Sequence, residues 1–324
     1  MRLEDSLIPQ QKIAAVTAAV NGAFGVSSFD QIQDLTERPT SNRAFRIIVA
    51  GSPYLLRINT RRGDMARQFT CMRAAAEAGL APRVHYTNAE HRISITDFVN
   101  AVPFAATDAL RRVPSALRAL HALAPFPDSP FNTTCTFLLN KGSMLDSFLQ
   151  KFRAENIVPH SELEELLAQY DRTAAACTSL EPDLVPCHND LFKPDNMLFD
   201  GSRLWFVDWE AAFQNDRYAD LAVVANMLIT DEADEQIFLR EYFGAPPTAH
   251  QLARLRLMQH LAHIFYAMAF LSQAEKPVDW SESLPAYRDF QGRFWAREFP
   301  LNDNHSKIVY GRIHLEQTRV GRTV

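Results

Sequence analysis

Two different hydrophobic rhythms divide the chain. From Phe45 the segments FRIIV and YLLRI alternate apolar and polar positions around Gly51-Ser52-Pro53, the pattern of an antiparallel hairpin rich in β-branched and aromatic residues. An alanine-rich stretch from Met65 to Ala78 follows, with Asp64 placed to cap a helix and Gly79 and Pro82 to stop it. RVHY and RISITDFV then flank Asn88-Ala89-Glu90, so the order β-β-α-β-β predicts a small antiparallel sheet with one helix. Beyond Val99 the rhythm becomes helical. Helices are predicted from Thr107 towards Leu123 with Pro114 as a kink or restart, from a Ser161/Glu164 capping box to about Cys177, and over Arg217–Ile229, Asp234–Tyr242 and Gln251–Gln273. The expectation is an α+β chain of two lobes, 1–98 and 99–324, the second mainly helical and interrupted by one hairpin.

That hairpin carries the chemistry. VPCHNDLFKPDNMLFDGSRLWFVDWEAAFQNDRYADLA, residues 185 to 222, contains the strands Met197-Leu198-Phe199 and Arg203–Val207 around a three-residue loop, Asp200-Gly201-Ser202. With Phe199 opposite Arg203, Asn196 falls opposite Phe206, two residues before Asp208. A bulge would shift this register by about one residue and leave both at the open end. A carboxylate and an amide carbonyl at that spacing are hard oxygen ligands suited to magnesium carrying ATP. Asp190, a short loop upstream, can accept the proton of an attacking hydroxyl. Any one of Asp190, Asp195 and Asp200 alone reads as a turn former beside Pro194 and Gly201; the ensemble does not.

Composition narrows the options. With 324 residues, 47% hydrophobic, the chain is long enough for two lobes, and a formal net charge of −5 gives no electrostatic basis for nucleic-acid binding. No apolar run reaches the roughly 18 residues of a membrane span; the longest, Leu261–Leu271, reads as a buried helix. The start MRLEDSLIPQQ lacks the apolar core of a signal peptide, and Cys71, Cys135, Cys177 and Cys187 lack zinc or disulfide-scaffold spacing, so a cytoplasmic protein with buried free thiols is expected. His260 and His263 have no third ligand at suitable spacing and read as structural. The oligomeric state stays open.

His188-Asn189-Asp190, Asn196, Asp208-Trp209-Glu210 and Asp220-Leu221-Ala222 resemble the catalytic signature of choline/ethanolamine kinases and aminoglycoside phosphotransferases, which share the protein-kinase-like fold. The resemblance implies Asp190 as catalytic base, Asn196 and Asp208 as magnesium ligands, His188 and Asp220 as supports of the catalytic loop, and Glu210 near metal or substrate. Thr40-Ser41-Asn42-Arg43 is similar to the family's nucleotide loop, giving Ser41 and Asn42 as phosphate contacts. Arg57 matches the strand lysine or arginine, and ITDFV, residues 95 to 99, falls at the adenine-contacting hinge with Asp97 and Val99. ATP is then the co-substrate and the acceptor a hydroxyl of a small cationic molecule. Choline is one candidate; thiamine-like and amino-sugar alcohols are others. Tyr266 and Trp280 are the aromatic substrate candidates, although aromatics at helical spacing are more often core.

Two departures bear on activity. Gln68 stands where the family has a glutamate for the strand cation, so Asp64 is a candidate replacement partner for Arg57. Asp190 precedes Asn196 by six residues where the family spacing is five, with Phe192 as the inserted residue. Together they motivate a rival reading, a pseudokinase that binds nucleotide without turnover. A protein kinase fits less well, because Trp209-Glu210 follows Asp208 and no APE segment is present.

Overall fold

The computed structural model describes residues 7–36, 42–60, 63–128, 148, 150–152, 154, 157–178, 180–275, 278–301 and 303–320. They fall into two compact units, one made of Met1–Val102 with Asn196–Phe213, the other of Pro103–Asp195 with Gln214–Val324. The first unit therefore runs to Val102 rather than to 98. It also takes in the 196–213 hairpin, which the change of rhythm at Val99 had assigned to the helical part.

The first unit is built on a five-stranded antiparallel sheet, β1 (Gln31–Asp34), β2 (Arg43–Val49), β3 (Ser52–Ile58), β4 (Val84–Asn88) and β5 (Ile93–Asp97), in the order β1-β2-β3-β5-β4. The β2–β3 hairpin turns at Ala50-Gly51, with Val49 opposite Ser52. Gly51, at φ 77°, takes the left-handed conformation that lets Ser52 and Pro53 join the strand. Helix α1 (Ile13–Phe24) and strand β1 lie outside the predicted pattern. Val16, Ala19 and Val20 of α1 are fully buried in one core with Phe45, Ile47, Leu56, Ile58, Ile93 and Ile95 of the sheet. Helix α2 (Met65–Glu77) starts where expected: the Asp64 carboxylate accepts the Arg67 N–H at 3.0 Å, satisfying one of the free donors of the first turn.

The second unit holds α3 (Ala106–His121), α4 (His160–Thr178), α5 (Arg217–Leu228), α6 (Glu232–Phe243), α7 (Ala249–Leu271), α8 (Tyr287–Trp295) and α9 (Asn304–Val320). Helix α3 runs unbroken through Pro114 and buries Ala109, Leu110, Val113, Leu117 and Leu120, a stripe at spacings of three and four. Helix α4 begins at His160, so Ser161 lies inside the first turn. The capping box forms instead at α7, where Thr248 Oγ1 accepts the Gln251 N–H and the Gln251 side chain accepts the Thr248 N–H. Helices α4, α7 and α9 share an apolar core around Leu166, Tyr170, Ile264, Ala267, Leu271 and Leu315. No described helix is long and apolar enough to cross a membrane.

Among the described residues, Ala50, Arg92, Asn189, Asp208 and Arg297 are the non-glycine residues with left-handed φ. Such a conformation costs an L-residue roughly 1–2 kcal/mol, least for Asn and Asp. Asn189 and Asp208 stand within the 185–222 segment.

Candidate active site

In the first unit, β7 (Met197–Phe199) pairs with β8 (Leu204–Phe206), with Met197 opposite Phe206 and Phe199 opposite Leu204. This register is one residue displaced from the three-residue-loop expectation. Asp200 is the cause. Its N–H donates to the Arg203 carbonyl at 3.1 Å, while one carboxylate oxygen accepts the Ser202 and Arg203 N–H groups, both at 2.8 Å, and the other accepts the Trp205 indole N–H at 2.7 Å. Residues 200 to 203 thus form a four-residue loop, and these donors hold the Asp200 carboxyl well below the usual range. The displacement tightens the open end: Val207 N–H donates to the Asn196 carbonyl at 3.0 Å, leaving Asp208 the next residue along.

Asn196 is buried and Asp208 half-buried. Arg57, near the end of β3, sends Nη1 to Asp208 Oδ1 at 2.9 Å. Asp64, suggested as the partner of Arg57, is committed to the α2 cap, and Gln68 is buried. The cation of β3 is therefore paired with the carboxylate at the hairpin end. Asn42 joins this group: its Nδ2 lies 3.5 Å from Glu210 Oε2, and its Oδ1 accepts the Thr60 N–H at 3.0 Å. Ser41 lies outside the described residues. Trp209, 2% exposed, anchors the turn after Asp208 through its indole N–H to the Phe206 carbonyl at 3.2 Å. Asn196 and Asp208 offer hard oxygens of the kind magnesium takes, and Arg57 brings a guanidinium to the same carboxylate. Asp97 lies farther along the sheet, paired through β5 with Tyr54 and holding His85 Nε2 at 2.7 Å; Val99 follows the strand, and its carbonyl accepts the Ala101 N–H.

In the second unit, β6 (Leu184–Cys187) delivers His188, Asn189 and Asp190. The backbone there is held by Asp220, fully buried in the first turn of α5: Oδ2 accepts the His188 N–H at 2.8 Å and Oδ1 the Asn189 N–H at 2.7 Å. His121 Nε2 lies 3.3 Å from Oδ2 and its Nδ1 2.7 Å from the Tyr242 hydroxyl. Although burial opposes the charge, the His121 hydrogen bond and the neighbouring His188 lower the Asp220 pKa below its ordinary value. His121, Cys187 and Asp220 also cluster like metal ligands. The fit is poor, because both Asp220 oxygens already accept hydrogen bonds and burial pushes the Cys187 thiol well above its normal range.

Asp190 itself is half-buried, and Phe192, two residues on, has a defined place. The Phe192 ring packs on Tyr266 and Phe270 of α7 at 5.1 and 5.8 Å between centroids, and Lys193 Nζ lies 5.0 Å from the Phe192 ring centre. Tyr266 is buried, its hydroxyl pKa raised first by desolvation and then by Tyr310 and Asp190. Trp280 does not join this group. Its indole N–H donates to the Ile157 carbonyl at 3.0 Å, the Arg312 guanidinium lies 5.2 Å from its ring centre, and it packs against the α4/α7/α9 core. The pairing of Arg57 with Asp208 leaves no local mark in the sequence. The anchoring of Phe192 on α7 does leave one, in the six-residue spacing of Asp190 and Asn196.

Residues 35–255 match the phosphotransferase enzyme family. Protein LicA of Haemophilus influenzae is 29% identical over 128 residues, 37% of this chain and 38% of the relative, so the match spans well under half of that protein's length. In three dimensions the chain is similar to a choline/ethanolamine kinase family protein from Mesorhizobium loti, with TM-score 0.64 and 19% identity over 93% of this chain and 99% of that one. It is also similar to the spectinomycin phosphotransferase APH(9)-Ia, with TM-score 0.59 and 13% identity over 96% and 100% of the two chains. These structural likenesses speak for a protein-kinase-like α+β fold. With more than half of its residues matched by the family model, the chain belongs to the phosphotransferase enzyme family.

Proposed function

We propose that this protein is an ATP-dependent kinase that phosphorylates a hydroxyl of a small cationic aminoalcohol of the choline or ethanolamine type. The observation that carries the reading is the grouping of Asn196, Asp208 and Arg57 in the first unit, a hard-oxygen pair with a guanidinium 2.9 Å from the carboxylate. Asn196 and Asp208 would hold magnesium, which supplies charge neutralisation on the phosphates. Arg57 and Asn42, with Ser41 beside it in the chain, would bind phosphate oxygens; the backbone at Asp97 and Val99 would meet adenine.

Asp190 accepts the proton of the acceptor hydroxyl. As that proton leaves, the oxygen bonds to the γ-phosphorus and the bond from phosphorus to the β–γ bridging oxygen breaks, releasing ADP and the phosphate ester. Glu210 and Tyr266 are assigned to the acceptor side. The preference for a cation draws on the kinship with LicA and on Phe192, whose ring already takes an ammonium, that of Lys193.

The test is ADP release with Mg·ATP across choline, ethanolamine, thiamine and aminoglycosides, with Asp190→Asn and Asp208→Asn alongside. Choline or ethanolamine should be turned over best. Asp190→Asn should lower kcat by about 10²- to 10⁴-fold while nucleotide binding persists. Nucleotide binding without ADP release on any acceptor would support the pseudokinase instead.

A further inference from the structure

Arg297 occupies a position whose backbone glycine suits best. Helix α8 closes with the Arg297 N–H donating to the Phe294 carbonyl at 3.0 Å and the Glu298 N–H to the Arg293 carbonyl at 2.9 Å, and Arg297 itself has φ 61°. A left-handed residue just past a helix end is commonly glycine, because a Cβ is crowded there. The contacts of the arginine side chain are therefore the place to look for a compensating role. Nε is ion-paired with the Asp195 carboxylate, and Nη2 donates to the Pro194 carbonyl at 3.2 Å. These are the two residues immediately before Asn196.

The arm that carries Arg297 is fixed. The Trp295 indole N–H donates to the Phe104 carbonyl at 2.7 Å, and Phe290 and Phe294 pack on Tyr310 at 5.8 and 5.3 Å. The ion pair itself is well solvated, with side-chain exposures of 37% and 62%, so it adds little to global stability. What it does restrict is local. The segment from Asp190 to Asn196 carries an extra residue, and a longer loop has more conformations to exclude. Phe192 pins its first half to α7, and Arg297 grips its second half.

We propose that Arg297 is a positioning residue for the lengthened catalytic loop, fixing Pro194 and Asp195 and so the path of the chain between Asp190 and Asn196. Residue 297 lies beyond the 35–255 stretch matched by the family, so this would be a feature of the chain's own C-terminal segment. The proposal rests on the kinase reading above.

Arg297→Gly separates positioning from stability, because it relieves the left-handed strain while deleting the clamp. Its unfolding temperature should equal or exceed that of the wild type, while kcat falls roughly 10- to 100-fold, the scale of a misplaced catalytic group. The Mg²⁺ concentration for half-maximal rate should rise, and amide hydrogen exchange across 191–196 should speed up. Asp195→Ala breaks the same contact from the loop side, and the double variant should be no slower than Arg297→Gly alone. Wild-type kcat in both single variants overturns the proposal, as does a loss of rate that tracks a fall in unfolding temperature. If the wild type itself shows no turnover, it is the kinase reading that fails; unchanged exchange across 191–196 in Arg297→Gly would then dispose of the clamp.

Discussion

Replacing Asp220 by asparagine tests the support under the catalytic loop with a single atom exchange. The carboxylate is 1% exposed and accepts two backbone N–H groups, at 2.8 and 2.7 Å, besides its contact with His121. Hydrogen bonds to a charged acceptor contribute roughly 1.5–3 kcal/mol each, and a buried donor left without an acceptor costs about 1–3 kcal/mol. The asparagine keeps one oxygen but turns an NH₂ towards a backbone N–H, so one charge-assisted bond is lost and donor faces donor. A loss of about 3 kcal/mol follows, which in a chain of 324 residues lowers the unfolding temperature by about 4 °C. Acid sharpens the test. Because the Asp220 pKa is lowered on folding, its contribution is fully present above the unfolded value of 3.8 and fades as pH falls below it. The gap between wild type and variant in urea unfolding should therefore be wide at pH 7 and narrow towards pH 3. Since the two N–H groups belong to His188 and Asn189, kcat should fall as well. A variant as stable as wild type at pH 7 would refute the reasoning, and one with normal kcat would detach Asp220 from the loop.

Two further expectations concern buried titratable groups. His263 and His314 share an Nδ1–Nδ1 contact at 2.8 Å, and burial lowers the His263 pKa to about 3 and the His314 pKa well below its usual 6.5. Both are neutral when folded, whereas the unfolded chain takes up their protons below pH 6.5. Urea-unfolding stability should thus fall by up to about 1.4 kcal/mol per pH unit for each histidine between pH 6.5 and pH 4, and His263→Leu/His314→Leu should flatten that slope. Cys71, raised to about 12 by burial, and Cys187, pushed well above its ordinary value by the same cause, should resist iodoacetamide at pH 8 until the protein is unfolded, as read by mass spectrometry; fast native labelling of either would contradict their burial.

The hairpins, α2 and the helices from α3 to α7 are legible because their periodicity and stops are written locally, as is the Asp64 cap of α2, while the cap of α7 at Thr248 and the start of α4 at His160 are not where sequence alone puts them. Helix α1 is harder to read, since IAAVTAAVNGAF is apolar on most faces and its burial depends on the distant residues Phe45 and Ile93. The β7–β8 register is displaced because a side chain, Asp200, organises the turn, where strand pattern alone counts only residues. Asp190, Asn196 and Asp208 stand out by type and spacing within one short segment. The ion pair between Arg57 and Asp208 joins residues 151 positions apart, and periodicity carries no signal at that range.

Strain explains why the site's own residue types are so constrained. Asn189 at φ 63° and Asp208 at φ 69° both hold left-handed backbones at proposed site residues, Asn189 just before the proposed base Asp190 and Asp208 as a proposed magnesium ligand. Glycine would relieve both and would remove what each side chain does. Asn189 Oδ1 accepts the Asn215 Nδ2–H at 2.6 Å, tying the loop to the residue two before α5, and Asp208 binds Arg57. Among residues with a polar side chain, Asn and Asp tolerate this conformation best, so the backbone and the chemistry converge on the same two types. The hydrogen bonds from His188 and Asn189 to Asp220 then hold the first strained turn, and the Trp209 indole N–H to the Phe206 carbonyl holds the second. Each turn is thus held within its own unit by contacts that need no ligand, as catalysis by positioning would require.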